Sequence, residues 1–325
     1  MFSFLRKLWL RPLTRVLISI SILFVLLTTL PLHNLWQTVS RIPVGLWMLA
    51  VMTTIFVHFV GVVKWSLLIN MTNRTLPLLS ACRCYFAGLF ANIFLPSING
   101  GDIVRAGLAI SLNHEKEAVI LGSLTDRLLD ASALALIVFT GTLLLPNMRS
   151  IGTHKILIGT LIVLFSFVSC CVILFVIPLS RKIPNLVSNS IIRLRYVMMQ
   201  FVRRPWRVLA GLCAAIIVQM WFVLLFSILG GELGIYLPLS VWLIVWPTAK
   251  LSAMLPISLG GLGVREAALA ILLGQFNVSI TSSVGLGLLW ESLFLAVGGF
   301  GGIFYFSSKR SCAMSRQAIE SRATA

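Results

Sequence analysis

Asp102, Asp126, Asp130, Glu266 and Glu291, with Arg105, Arg127, Lys250 and Arg265, fall within or beside long apolar runs in a chain that holds only 9 Asp or Glu. An ionised group near a bilayer centre costs at least about 2.5–3.5 kcal/mol on insertion scales, so such groups turn towards a polar interior and find partners there. Arg105 follows Asn99-Gly100-Gly101-Asp102, and Arg265 follows Gly260-Gly261-Leu262-Gly263-Val264. A glycine-rich turn that opens a helix exposes backbone N–H groups at the positive end of the helix dipole; with a guanidinium fork beside it, it suits a phosphate oxyanion. The alternative is that Arg105 and Arg265 pair with Asp102 and Glu266 and fasten the segments that carry them. Asp126 and Asp130 lie one helical turn apart on a shared face, with Arg127 beside them. They suit pairing with Arg105 or Lys250, or exchange of a proton or cation, or plain structural ion pairing. Glu291 has no basic residue within a turn of it in sequence, which favours an unusual protonation state.

Other chemistry finds little support. The six cysteines, among them Cys82, Cys84 and the adjacent Cys170 and Cys171, lack zinc-site spacing and read as small buried apolar residues. His33, His58, His114 and His154 form no HExxH set, and no GxGxxG, Walker loop or GxSxG occurs. No catalytic residue, metal site or cofactor is expected. The net charge of +17 lies between apolar runs rather than on a compact face, so it marks topology and contacts with anionic head groups, not nucleic acid.

These residues must be positioned by membrane-spanning helices. The 325 residues are 58% hydrophobic and 11% charged with a mean hydropathy of +1.00, too little polar surface for a soluble fold. Apolar runs at 16–32, 44–69, 118–145, 156–178, 206–229 and 281–306 match the roughly 20 residues that cross a bilayer. The first follows Arg6, Lys7, Arg11 and Arg15 and leads to no small-residue cleavage site, so it reads as an uncleaved span.

At an ungapped offset of 160, Leu95-Pro96 through Gly100-Gly101, Val104 and Arg105 lie over Leu255-Pro256 through Gly260-Gly261, Val264 and Arg265. The halves 44–145 and 204–306, joined by 146–203, each read as span, broken segment, span. Proline and paired glycines interrupt a helix, and irregular backbone at membrane depth persists only where protein or water satisfies it. Helices at about 78–95 with 102–113, and 240–255 with 264–276, therefore read as re-entrant hairpins. With both termini inside, cytoplasmic segments carry 19 Lys or Arg and the opposite loops 3, as the positive-inside rule requires. The expected fold is one all-α polytopic membrane domain over 1–325. It has about six full spans and two re-entrant hairpins, seven or eight apparent helices, in an inverted repeat with a tail at 307–325.

Gly298 and Gly302 form a GxxxG pair, which serves packing within the chain or a homodimer; Gly285 and Gly287 also suit packing. Trp9, Trp36, Trp47, Trp65 and Trp206 lie near span ends, as interfacial tryptophans do.

Three segments together resemble the flippase-like, lysylphosphatidylglycerol synthase transmembrane-region family. They are Asn92-Ile93-Phe94-Leu95-Pro96 through Gly100-Gly101-Asp102 and Arg105; Asp126-Arg127-Leu128-Leu129-Asp130; and Leu255-Pro256-Ile257-Ser258 through Gly260-Gly261-Leu262-Gly263-Val264-Arg265-Glu266. The likeness covers about residues 10–306, and it departs from the usual pattern where Asp126 replaces a Glu. It implies a bacterial or archaeal cytoplasmic-membrane protein that moves lipids. In fused members of the family a soluble synthase domain follows; the chain ends at Ala325, so aminoacyl transfer is not expected. The expected function is a flippase or transporter for an anionic, phosphate-bearing lipid head group, a phospholipid or polyprenyl phosphate. The runners-up are a membrane-embedded lipid or lipid-linked-sugar transferase and a non-transporting partner of a lipid-modifying enzyme.

Overall fold

The computed structural model describes residues 40, 42–72, 75–95, 100–112, 114–145, 196–197, 199–253 and 263–323, with side chains placed as far as Ser307. The spans expected at 16–32 and 156–178, and the Pro96–Asn99 and Pro256–Leu262 parts of the two motifs, lie outside these residues.

Among the described residues the helices are α1 (Val44–Ile69), α2 (Leu78–Phe94), α3 (Gly100–Ser111), α4 (Lys116–Leu143), α5 (Pro205–Glu232), α6 (Leu239–Ala253), α7 (Val264–Gly274) and α8 (Ile280–Ala323). Three are both long and apolar enough to cross a membrane: α1, α5 and the Ile280–Ser307 part of α8, with hydropathies of 2.1, 2.5 and 1.6. At 26 to 28 residues each, they rise about 40 Å against a hydrocarbon core of ~30 Å. The 28-residue α4 matches them in length but carries Asp126, Arg127 and Asp130 inside it.

The shorter helices pair. α2 packs on α3 and α6 on α7; at 17, 12, 15 and 11 residues, each falls short of the roughly 20 needed to cross alone. The α2–α3 approach depends on glycine. A Cβ on Gly101 would run into the Gly88 carbonyl oxygen, and the Gly101 N–H donates to Asn92 Oδ1 at 2.6 Å.

Helix packing follows a cross-wise pattern. α2 lies on α8, and α6 lies on α4, while α1 and α5 pack against each other. Exchanging α1 with α5, α2 with α6, α3 with α7 and α4 with α8 returns the same helix pairs in contact, although α1–α4 is packed far more closely than its image α5–α8. Glycines mark both cross-wise contacts. A Cβ on Gly141 of α4 would meet Leu243 Cβ of α6 at 2.8 Å, and one on Gly301 of α8 would meet the Phe86 carbonyl oxygen of α2 at 2.6 Å. Gly298 and Gly302 face Ile93, Leu89 and Phe90 of α2, so their close approach is used inside the chain.

The molecule is apolar outside and charged inside. Met48, Met52, Phe56, Phe59 and Val63 form an exposed stripe along α1, and Leu209, Ile217, Leu224 and Ile228 do the same on α5. Lys64, Arg105, Asp126, Gln219, Arg265 and Glu266 are buried. Apolar exteriors of this extent belong in lipid rather than water.

Two expectations need correction. Trp65 is not interfacial: it is fully buried, and its indole N–H donates to Ser123 Oγ at 3.0 Å. Lys64, counted above among the cytoplasmic loop charges, is buried within α1, because the helix runs on to Ile69. The last span, Ile280–Ser307, agrees with the expected 281–306, and its helix continues to Ala323, with neither glycine nor proline after Gly302 to stop it.

Candidate functional site: two buried ionic groups

The first ionic group joins α1, α3 and α4. Asp126 and Asp130 point from one face of α4 at the same ammonium: Lys64 Nζ lies 3.0 Å from Asp126 Oδ1 and donates to Asp130 Oδ1 at 2.5 Å. Arg105 Nη2, from α3, donates to Asp126 Oδ2 at 2.7 Å and lies 3.1 Å from Asp102 Oδ1. Arg127 closes the group with a fork on Asp102, from Nε to Oδ2 and from Nη2 to Oδ1. A bidentate guanidinium–carboxylate pair fixes orientation as well as charge, so α3 is locked to α4. The Arg105 guanidinium also lies between the rings of Trp65 and Tyr85, at 5.1 and 5.2 Å, a favourable placement for a cation.

The second group lies at α7 and α8. Arg265 Nη2 donates to Glu266 Oε1 at 2.6 Å and to Glu291 Oε1. Glu266 Oε2 accepts the N–H of Gly263 at 2.7 Å. Gly263 has φ +80°, a left-handed conformation that favours glycine, and it starts α7 four residues later than the offset of 160 would place it. Arg265 therefore stands in the first turn of its helix, while Arg105 is the sixth residue of α3. The sequence reading had the two arginines in equivalent helix-start positions; the structure does not keep that equivalence.

Lys250 stands apart. It does not pair with Asp126 or Asp130; its ammonium donates to Gln219 Oε1 at 2.8 Å and lies 4.9 Å from the Phe222 ring centroid. Glu291, expected to lack a basic neighbour, has Arg265 as its partner. The sequence window missed this because the two are 26 residues apart. Gly287 receives α7 as expected, by way of the Glu266 side chain, whose Cγ lies 2.8 Å from where a Cβ would stand.

Of the residues singled out from sequence, Gly100, Gly101, Asp102, Arg105, Asp126, Arg127 and Asp130 come together around α3 and α4, and Gly263, Arg265, Glu266 and Glu291 around α7 and α8. Asn99, Gly260 and Gly261 lie outside the described residues. Sequence reasoning missed Lys64, Gln219, Trp65 and Tyr85. Gln219 was legible as a lone amide inside an apolar span, and Lys64 as the lone lysine inside the run 44–69. Among the described residues no group of His, Cys, Asp and Glu has metal-binding geometry.

The family description "lysylphosphatidylglycerol synthase TM region" matches residues 13–302, nearly the whole chain and all of the ion network. The chain belongs to this family. Comparison with curated proteins and with solved structures returns no match. Family membership and the apolar helices together make it a membrane protein.

Proposed function

We propose that the protein moves a lipid across the bilayer by sheltering its phosphate-bearing head group between the two helical hairpins, leaving the lipid covalently unchanged. One observation carries the reading: the two motif arginines are 4% and 6% exposed, and each keeps a buried Nε–H that finds no partner among the described residues. An unused donor on a buried cation is costly, and a tetrahedral oxyanion is the acceptor that suits a guanidinium edge.

Supporting it, the apolar exterior accommodates acyl chains while the ionic interior replaces water around a charged head. The cross-wise packing of α2 on α8 and α6 on α4 supports hairpins contributed by two related halves, and the bias of basic residues supports halves of opposite orientation with both termini in the cytoplasm. Discontinuous helices of this kind form substrate sites in secondary transporters.

Reconstitution into vesicles with acyl-labelled phosphatidylglycerol tests the proposal. Wild-type protein should move the label well above protein-free vesicles. The Arg105→Lys, Arg265→Lys double variant, which keeps charge but loses the fork, should be slower by about tenfold or more. A wild-type rate equal to that of protein-free vesicles would refute transport.

A further inference from the structure

A phosphate brought to the motif arginines meets guanidiniums that carboxylates already hold. Around α3 and α4, Lys64, Arg105 and Arg127 face Asp102, Asp126 and Asp130, three charges of each sign. Around α7 and α8, Arg265 faces both Glu266 and Glu291 through one nitrogen, Nη2. With Lys250, whose ammonium donates to the Gln219 amide oxygen, these groups inside the spans and hairpins come to five cations and five carboxylates. A phosphate monoanion entering this balanced set leaves it one positive charge short, and a buried charge without a counter-charge is strongly unfavourable.

The shortfall is sharpest at Arg265. Its Nε–H, buried and without a partner among the described residues, is the donor left for a phosphate, but the one guanidinium would then serve three negative groups. The two carboxylates there are not alike. The Glu266 side chain is fully buried and both its oxygens are engaged, Oε1 by Arg265 and Oε2 by the Gly263 N–H at the start of α7. Glu291 meets the arginine through Oε1, and its side chain, 19% exposed, is the most accessible of the five carboxylates. Glu291 can release the guanidinium without undoing the start of a helix.

Around Glu291, α7 contributes Arg265 and Glu266. On the other helices packed against α8, Lys64 of α1 is held by Asp126 and Asp130, and His58 of α1 lies against Tyr85 of α2. Cys82, Arg83 and Cys84 stand in the second turn of α2; Arg207 is tied to Asn70 at the start of α5, and Glu232 is exposed at its end. On α6, whose Trp246 packs on Trp290, Lys250 is held by Gln219.

Resting on the transport reading above, we infer that the head group crosses together with one proton, carried by Glu291. On the entry side Glu291 takes a proton from water and lets go of Arg265, leaving the guanidinium to the phosphate; the carboxylic O–H then has a phosphate oxygen to donate to. On the far side the proton returns to water and Glu291 recovers Arg265. The interior is balanced both empty and loaded, and the crossing moves no net charge.

The test imposes gradients on vesicles that hold the purified full chain and acyl-labelled phosphatidylglycerol. With the outside one pH unit more acidic and no membrane potential, wild-type protein should draw the label inwards to about a tenfold excess, as one proton per lipid requires. Protein-free vesicles should show no such shift in that time. A potassium potential set with valinomycin at equal pH should leave the label evenly spread. Glu291→Gln should invert the pattern, following the potential and ignoring pH, and Glu291→Asp should restore the pH response. A wild-type distribution that ignores the pH gradient, or follows a sodium gradient in its place, overturns the inference, as does a pH response that survives Glu291→Gln. If Glu291→Gln shows no cooperative melting, the wild-type gradients decide alone. Label that equilibrates regardless of pH removes the proton and leaves transport standing; no movement by the wild type removes the reading beneath it as well.

Discussion

Asp126 ties α1 to α3, since one buried carboxylate faces both Lys64 and Arg105. Its loss would leave the Arg105 guanidinium on Asp102 alone, already committed to Arg127, so Asp126→Asn should destabilise the protein by about 3–5 kcal/mol. Thermal melting in detergent checks this, and an unchanged midpoint would mean that the network contributes little to the fold. Lys64 and Asp130 offer a finer measurement. Their direct contact at 2.5 Å predicts that Lys64→Gln and Asp130→Asn combine non-additively, with a coupling of roughly 0.5–3 kcal/mol; strict additivity would argue against a direct pair. Arg105 was one of the two partners the sequence offered for Asp126, and the structure makes that pair, whereas the Lys64–Asp130 pair was not visible along the chain because the two are 66 residues apart. The residue types were readable, and the choice of partner was not.

Glycines separate contacts that pack elements together from those that do not. Gly301 abuts the Phe86 backbone carbonyl and Gly141 the Leu243 Cβ, neither of which can rotate away, whereas Gly107 and Gly231 face open space. Alanine is worth about 1 kcal/mol over glycine inside a helix, and overpacking costs typically 1–3 kcal/mol. Gly107→Ala and Gly231→Ala should therefore hold or raise the melting temperature, whereas Gly301→Ala and Gly141→Ala should lower it. Gly263→Ala should also destabilise, because φ +80° strains any residue with a Cβ. The hairpin helices agree with the sequence reading to within a few residues, since proline and glycine punctuate the chain there. What the pattern concealed was the register at the start of α7, where Glu266 takes the Gly263 N–H and the helix begins four residues later than its counterpart.

At the scale of the whole molecule, the proposal requires the α1–α2 and α5–α6 connections to lie on opposite sides of the membrane. Thr75 and Tyr236 mark them, and both are exposed. With single cysteines at these positions in an otherwise cysteine-free chain, an impermeant maleimide should label Tyr236→Cys in intact cells and Thr75→Cys only after the membrane is opened. Labelling of both from one side would end the inverted arrangement. Arg207 adds a tie between the halves, donating from the start of α5 to the Asn70 carbonyl oxygen at the end of α1, at 2.5 Å.

Composition and run length alone determined that the chain is helical and belongs in a membrane, because an apolar stretch of about 20 residues has few other stable homes. The offset repeat and the stranded charges marked which segments carry the polar interior. Tertiary structure decided how those charges combine: which carboxylate each cation meets, that Glu291 shares Arg265 with Glu266, and that Lys250 is left with an amide and two rings. Sequence patterns report neighbours within a helical turn, whereas a buried ion takes the partner that distant helices bring within about 4 Å.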